Sequence, residues 1–140
     1  MTKNDFIKFA NENHVCYLAT AENDQPRVRP LGFWFADDSG FYFQTGDMKP
    51  FYQQLKANPK TEVCFYHPEE MIGSMIRIAG EVEFLDDADL KVRVMQERPF
   101  LRGFGLSETS PDLIIFRIAH GEMYFWNMEN NLKPKEILKF

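Results

Sequence analysis

Residues 15–46, VCYLATAENDQPRVRPLGFWFADDSGFYFQTG, decide how the chain folds. Val15–Thr20 is a short apolar run followed at once by the turn residues Glu22-Asn23-Asp24-Gln25-Pro26, so it reads as a buried strand rather than a helix. A second strand follows from Arg27 to about Ala36. Asp37-Asp38-Ser39-Gly40 then turns the chain into a third strand, Phe41–Thr45. Short polar turns between neighbouring strands make an antiparallel meander.

Working outward, Thr2 to His14 reads as a helix capped by Thr2, with Asp5 three residues on and Phe6, Phe9, Ala10 and Asn13 along one face. After the meander, Lys49–Asn58 has helical spacing (Phe51, Tyr52, Leu55), with Pro50 in its first turn and Asn58-Pro59 as its stop. Thr61–His67 alternates as a strand. In the next strand Ile76, Ile78, Val82 and Phe84 point one way, with Arg77, Glu81 and Glu83 opposite. Gly80 takes the place of an inward side chain and marks a bulge or a barrel bend. Asp86–Gln96 reads as a further helix, Pro99–Ser110 as a Gly- and Ser-containing loop, and Leu113–Ile118 and Glu122–Met128 as two last strands. The fold class expected is mainly β with peripheral helices: an antiparallel six- to seven-stranded split β-barrel with two or three flanking helices. Closure of the barrel hides the strand edges. A flat sheet with helices on one side is the alternative.

The 140 residues suit one domain, 1–140, with a real core. Hydrophobic residues make up 44% and aromatics 15%, which argues against disorder and for a dense interior or an aromatic surface buried in a partner. A net charge of -5 offers no basic field to nucleic acid or an anionic membrane, so an anion must find a local basic spot. The opening MTKNDFIKF does not read as a secretory signal, and no run approaches the roughly 20 apolar residues that span a bilayer. Cys16 and Cys64 lie in apolar segments without CxxC spacing and read as buried hydrophobes of a reducing, cytoplasmic compartment. His14, His67 and His120 are scattered, so no metal site is expected.

One such basic spot is in view. Arg27 and Arg29 share a face of a strand that also carries Pro30, which cannot donate to a ladder, and Gly32, which leaves room at the backbone. After the next strand, Thr45-Gly46 delivers Lys49 to a helix start, where free N–H groups and the helix dipole favour an anion. Thr45, Lys49 and Arg29 would complete a phosphate pocket. The other reading is ordinary surface cations and a helix cap. Asp47 is a candidate cap that would compete with an incoming phosphate.

Three runs, CYLATAENDQPRVRPLGF, FYFQTGDMKPFYQQLKANPKTEVCFY and IRIAGEVEFL, resemble in order and spacing the flavin-binding split-barrel family related to pyridoxamine 5'-phosphate oxidase. The likeness extends from about Val15 to Leu85, and Tyr124–Trp126 is similar to the family's last strand. The resemblance implies a homodimer with two FMN molecules at its interface. Arg29 and Lys49 would hold the phosphate. The backbone of Pro30, Leu31, Gly32 and Phe33 would run beside the isoalloxazine, and Phe43, Gln44 and Thr45 would flank phosphate and ribityl chain. Arg27 joins this cofactor set, and Trp126 of the partner subunit would cover the ring, its alternative being a barrel-core tryptophan.

Two departures limit the likeness. The chain has no arginine–histidine motif of the kind with which the full oxidases grip pyridoxal phosphate, and Met75 stands where they place a flavin-contacting glutamine. The resemblance is therefore to the shorter, nitroimidazole reductase-like members and not to a true pyridoxamine phosphate oxidase. It implies an FMN-dependent oxidoreductase acting on a small planar substrate. No catalytic residue stands out. Tyr66 and His67 are candidates for the substrate side or plain surface residues. The alternatives are a non-catalytic flavin carrier or sensor, and a barrel of this fold holding haem or a deazaflavin.

Overall fold

In the computed structural model, which describes residues Met1–Phe140, the opening helix α1 (Lys3–Glu12) begins at the cap expected of it. Thr2 Oγ1 accepts from the Asp5 N–H while the Asp5 carboxylate accepts from the Thr2 N–H, a reciprocal capping box. Phe6 and Ala10 are buried beneath the helix. Strands β1 (Val15–Glu22) and β2 (Gln25–Gly32) pair antiparallel around a turn in which Asn23 and Asp24 take positive φ.

The remaining strands are β3 (Phe35–Asp37), β4 (Gly40–Gly46), β5 (Lys60–His67), β6 (Ser74–Glu81), β7 (Glu83–Leu85), β8 (Leu113–Ile118), β9 (Gly121–Trp126) and β10 (Ile137–Lys139). Helix α2 (Pro50–Ala57) lies between β4 and β5. Helix α3 (Ala88–Glu97) and a 3₁₀ turn, Pro99–Phe104, lie between β7 and β8. One sheet runs β10-β9-β6-β5-β1-β2 and the other β3-β4-β8-β7, with every pairing antiparallel. This is the mainly β, split-barrel architecture expected. Seven strands are of six residues or more, and three short ones, β3, β7 and β10, add to them.

Phenylalanines fill the space between the sheets. Phe33 meets Phe65 edge to face at 4.8 Å and Phe43 at 5.2 Å, and Phe43 stacks on Phe116 at 4.9 Å. All four are essentially inaccessible to solvent. A second, smaller apolar cluster (Trp34, Tyr42, Val94, Met95, Leu101, Leu106) lies under α3 and the 3₁₀ turn.

Two expected strands are each broken in two, for one physical reason. The strand expected over Arg27–Ala36 leaves the first sheet after Gly32. Phe33 turns inward, fully buried, its N–H bonded to the His14 carbonyl at 2.6 Å, and the chain resumes as β3 in the other sheet. The alternation over 76–84 likewise ends at Glu81. Val82 donates to the Pro59 carbonyl at 2.9 Å, and β7 pairs with β8 across the barrel. Phe84 is therefore 39% exposed, against the inward position expected of it, and packs beside Tyr52 and Phe116. Strand alternation reports which side a residue faces, but not which sheet its neighbours belong to. The loop expected over 99–110 begins with the 3₁₀ turn, and β10 had no counterpart in the sequence reading.

Candidate functional site

A cleft of about 520 Å³ opens where the ends of β2 and β4 meet the segment after α3. Its walls are Pro30, Leu31 and Gly32 from β2, Gln44, Thr45 and Gly46 from β4, Met48 and Lys49 from the following turn, and Arg98 to Leu106 opposite. β2 is an edge strand, so the missing donor of Pro30 breaks no ladder. A Cβ built on Gly32 would meet nothing nearer than the Arg98 guanidinium at 3.7 Å, so the strand presents bare backbone to the cleft.

The turn after β4 is closed by two backbone bonds, Asp47 N–H to the Asp112 carbonyl at 3.0 Å and Lys49 N–H to the Gly46 carbonyl at 3.2 Å. It leads into α2 with Lys49 at the cap and Pro50 at the first helical position. No side chain caps this helix, so Asp47 does not occupy the anion position as a cap would. Beside it, Thr45 is 5% exposed and its Oγ1 is buried with no hydrogen-bond partner. An orphaned buried hydroxyl is costly and rare, and here it lines a cleft next to an uncapped helix start and a lysine. A hydroxyl donor, an ammonium group and a helix start are chemically suited to an anion.

Arg98 supplies the other cation. Its guanidinium donates to the carbonyl oxygens of Gly32, at 3.3 Å, and of Phe33, tying the segment after α3 to the end of β2. Half-burial lowers its pKa, and it has no carboxylate within ion-pair distance. No Asp, Glu, His or Cys lines the cleft, and nowhere in the protein do three or more such residues gather as metal ligands would.

Of the residues singled out from sequence, the cleft brings together Pro30, Leu31, Gly32, Gln44, Thr45 and Lys49. The others stand apart from its lining. Arg27 is exposed and pairs with Glu22 at 3.3 Å. Arg29 lies 5.4 Å over the ring of Phe51, in the first turn of α2, and donates to the Leu18 carbonyl (3.3 Å), Thr20 Oγ1 (2.8 Å) and Gln54 Oε1 (2.7 Å). Burial lowers its pKa too. Phe33 and Phe43 are buried in the core, so only their backbone is available to a ligand. Trp126 is half-buried on the outer face of β9 and donates from Nε1 to Asn131 Oδ1 at 2.9 Å. Tyr66 bonds the Ile72 carbonyl and His67 bonds Asn13 Oδ1 at 3.0 Å, neither in the cleft. Sequence reading missed Arg98, Phe100, Leu101, Phe104 and Leu106. The signal present was a run of large apolar residues inside a stretch otherwise typical of a loop.

Residues 4–127 match the profile of the pyridoxamine 5'-phosphate oxidase family. Among solved structures, a NimC/NimA family protein of Clostridium acetobutylicum is 28% identical with a TM-score of 0.80, over 98% of this chain and 92% of that one. General Stress Protein 26 of Bacillus anthracis is 19% identical with a TM-score of 0.78, over all of both chains. An FAD-binding protein of Mesorhizobium loti is 20% identical with a TM-score of 0.70, over 89% and 94%. No curated protein sequence matches the chain.

Proposed function

The chain belongs to the pyridoxamine 5'-phosphate oxidase family, and from that premise we propose that it is a cytoplasmic FMN-binding flavoprotein, a homodimer and an oxidoreductase of a small planar substrate. The observation that carries this reading is the unpartnered Thr45 hydroxyl, buried in the cleft beside Lys49 and the uncapped start of α2. A phosphate monoester answers all three at once.

In this reading Thr45 donates to the phosphate and Lys49 neutralises it. Arg29 adds positive potential from beneath the first turn of α2. The bare backbone of Pro30–Gly32 would run along the ring, and Gln44 and Thr45 would flank the ribityl chain. Leu31, Leu101 and Leu106 would exclude water from the site. Bound FMN supplies the two-electron chemistry, so these residues need only bind, orient and shield. That division of labour suits a cleft without a carboxylate, imidazole or thiol. A haem would need an axial ligand, for which the lining offers only the Met48 thioether.

The homodimer is supported by the outer face of the six-stranded sheet, where Val15, Tyr17, Val28 and Tyr66 are 40–69% exposed. Val15 pairs with Gly32, so this face runs directly into the cleft. Trp126 stands opposite Met75, and Met75 opposite Tyr66, on the same face. A second copy seated there would cover the apolar surface and bring Trp126 of the partner subunit towards the ring.

The test is the visible absorption spectrum of purified protein before and after soaking in FMN and desalting. A retained two-band flavin spectrum near one FMN per chain is expected. A Soret band, or no retained chromophore, would overturn the assignment. Flavin retained without oxidation of NAD(P)H in the presence of quinone or nitroaromatic acceptors would leave a carrier or sensor in its place.

A further inference from the structure

The wall of the cleft opposite the two strands has a composition of its own. Phe100 and Phe104 sit on the 3₁₀ turn, 58% and 72% exposed, with their rings edge to face at 6.5 Å. The same segment buries Leu101 and Leu106 almost fully, so the two phenylalanines stay outside while smaller neighbours fill the core. The turn is tied down at both ends. Arg98 holds it to the carbonyls of Gly32 and Phe33. Gly105, in the left-handed region at φ 80°, donates back to the Arg102 and Leu101 carbonyls. Arg102 and Glu108 pair just beyond. The rings are thus held at the cleft mouth by its scaffold, presenting apolar surface to a ligand in the cleft.

The charge around them has one sign. Lys49 and Arg98 are the only ionised residues of the lining, in a chain whose net charge is -5. With Lys49 assigned to the FMN phosphate, Arg98 is the cation left facing the rest of the cleft, beside the Gly32 and Phe33 carbonyls, and a local positive charge there attracts anions and disfavours cations.

We propose that Phe100 and Phe104 select the substrate, stacking a planar aromatic molecule that is neutral or anionic and discriminating against cationic or non-planar molecules of similar size. This rests on the flavin reading, since the aromatic occupies the part of the cleft mouth that the cofactor leaves open.

The experiment titrates FMN-loaded protein with three probes of similar size: benzoate, cyclohexanecarboxylate and benzylammonium. Binding is read by calorimetry and by perturbation of the flavin absorption bands. Benzoate is expected to bind more tightly than either of the others. Phe100→Ala and Phe104→Ala should each weaken benzoate by about two- to tenfold, the scale of a lost aromatic pair, with little change for cyclohexanecarboxylate. Phe100→Leu and Phe104→Leu, which keep apolar bulk, should lose the same preference while retaining FMN as the wild type does. Equal affinity for benzoate and cyclohexanecarboxylate, no binding of benzoate, or benzoate affinity indifferent to all four substitutions would overturn the inference while retained FMN left the flavin reading standing. Tighter binding of benzylammonium would overturn its charge rule. Failure of the wild type to retain FMN would overturn both.

Discussion

The Thr45 hydroxyl separates stability from binding. Buried without a partner, it costs the cofactor-free protein roughly 1–3 kcal/mol, and valine has nearly the same shape. Thr45→Val should therefore leave the melting temperature of the cofactor-free protein unchanged or raised by a few degrees, while weakening FMN about tenfold. Thermal denaturation and fluorescence titration read the two effects, and a loss of stability without loss of affinity would contradict the assignment. The two cations differ in a similar way. Lys49 is exposed and pairs with no carboxylate, so Lys49→Ala should weaken FMN by about 1.5–3 kcal/mol at constant stability. Arg29→Ala, which removes potential but no direct contact, should weaken FMN less than Lys49→Ala does and also destabilise the fold, because Thr20 and Gln54 lose a donor. Wild-type affinity in both variants would sink the phosphate site. Thr45, Lys49, Pro30 and Gly32 were readable from sequence because each residue type does something there that few others do. Arg98 was not, since nothing local marks an arginine whose partners are carbonyls 66 and 65 residues away.

Among the elements, those governed by local chemistry match the sequence reading closely. Helix α2 runs from Pro50 to Ala57 between Lys49 and Asn58, because proline starts a helix and Asn-Pro stops one whatever surrounds them. The broken strands depend instead on contacts across the barrel. Gly80 sits two residues before the chain changes sheet, opposite Gly121 in the β6–β9 ladder. A Cβ on Gly80 would strike the His120 carbonyl oxygen and come within 2.7 Å of Ile118 Cγ2. Where a bulge or a barrel bend was expected, Gly80 keeps regular pairing with Thr61 and Gly121, and the close approach of the next hairpin leaves no room there for a side chain. Gly80→Ala should cost about 1–3 kcal/mol, seen as a lowered midpoint in urea unfolding. An unchanged midpoint would mean that the hairpin moves aside without penalty.

For the molecule as a whole, the decisive feature is an apolar sheet face that no helix of the same chain covers. Val28, 69% exposed on the edge strand β2, belongs to this face, opposite Ala19. If a second copy covers this face, Val28→Lys should shift the protein towards monomer in sedimentation velocity and reduce FMN retention together, with the unfolding midpoint of the monomer nearly unchanged. A wild-type monomer that holds FMN normally would remove the partner from the site.

Composition, turn chemistry and strand alternation by themselves determined a mainly β chain, its seven long strands, its helices and the basic spot around Thr45 and Lys49, because these rest on residues close together in the chain. Only the tertiary structure decided that β2 and β6 hand the chain from one sheet to the other at Phe33 and Val82. It alone set Phe100 and Phe104 across the cleft from Pro30–Gly32, and left the Thr45 hydroxyl unpaired. The reason is that a side chain's alternation or helical spacing is encoded within a few residues of it. What it faces across a core is set by packing among segments tens of residues apart, for which one sequence carries no local mark.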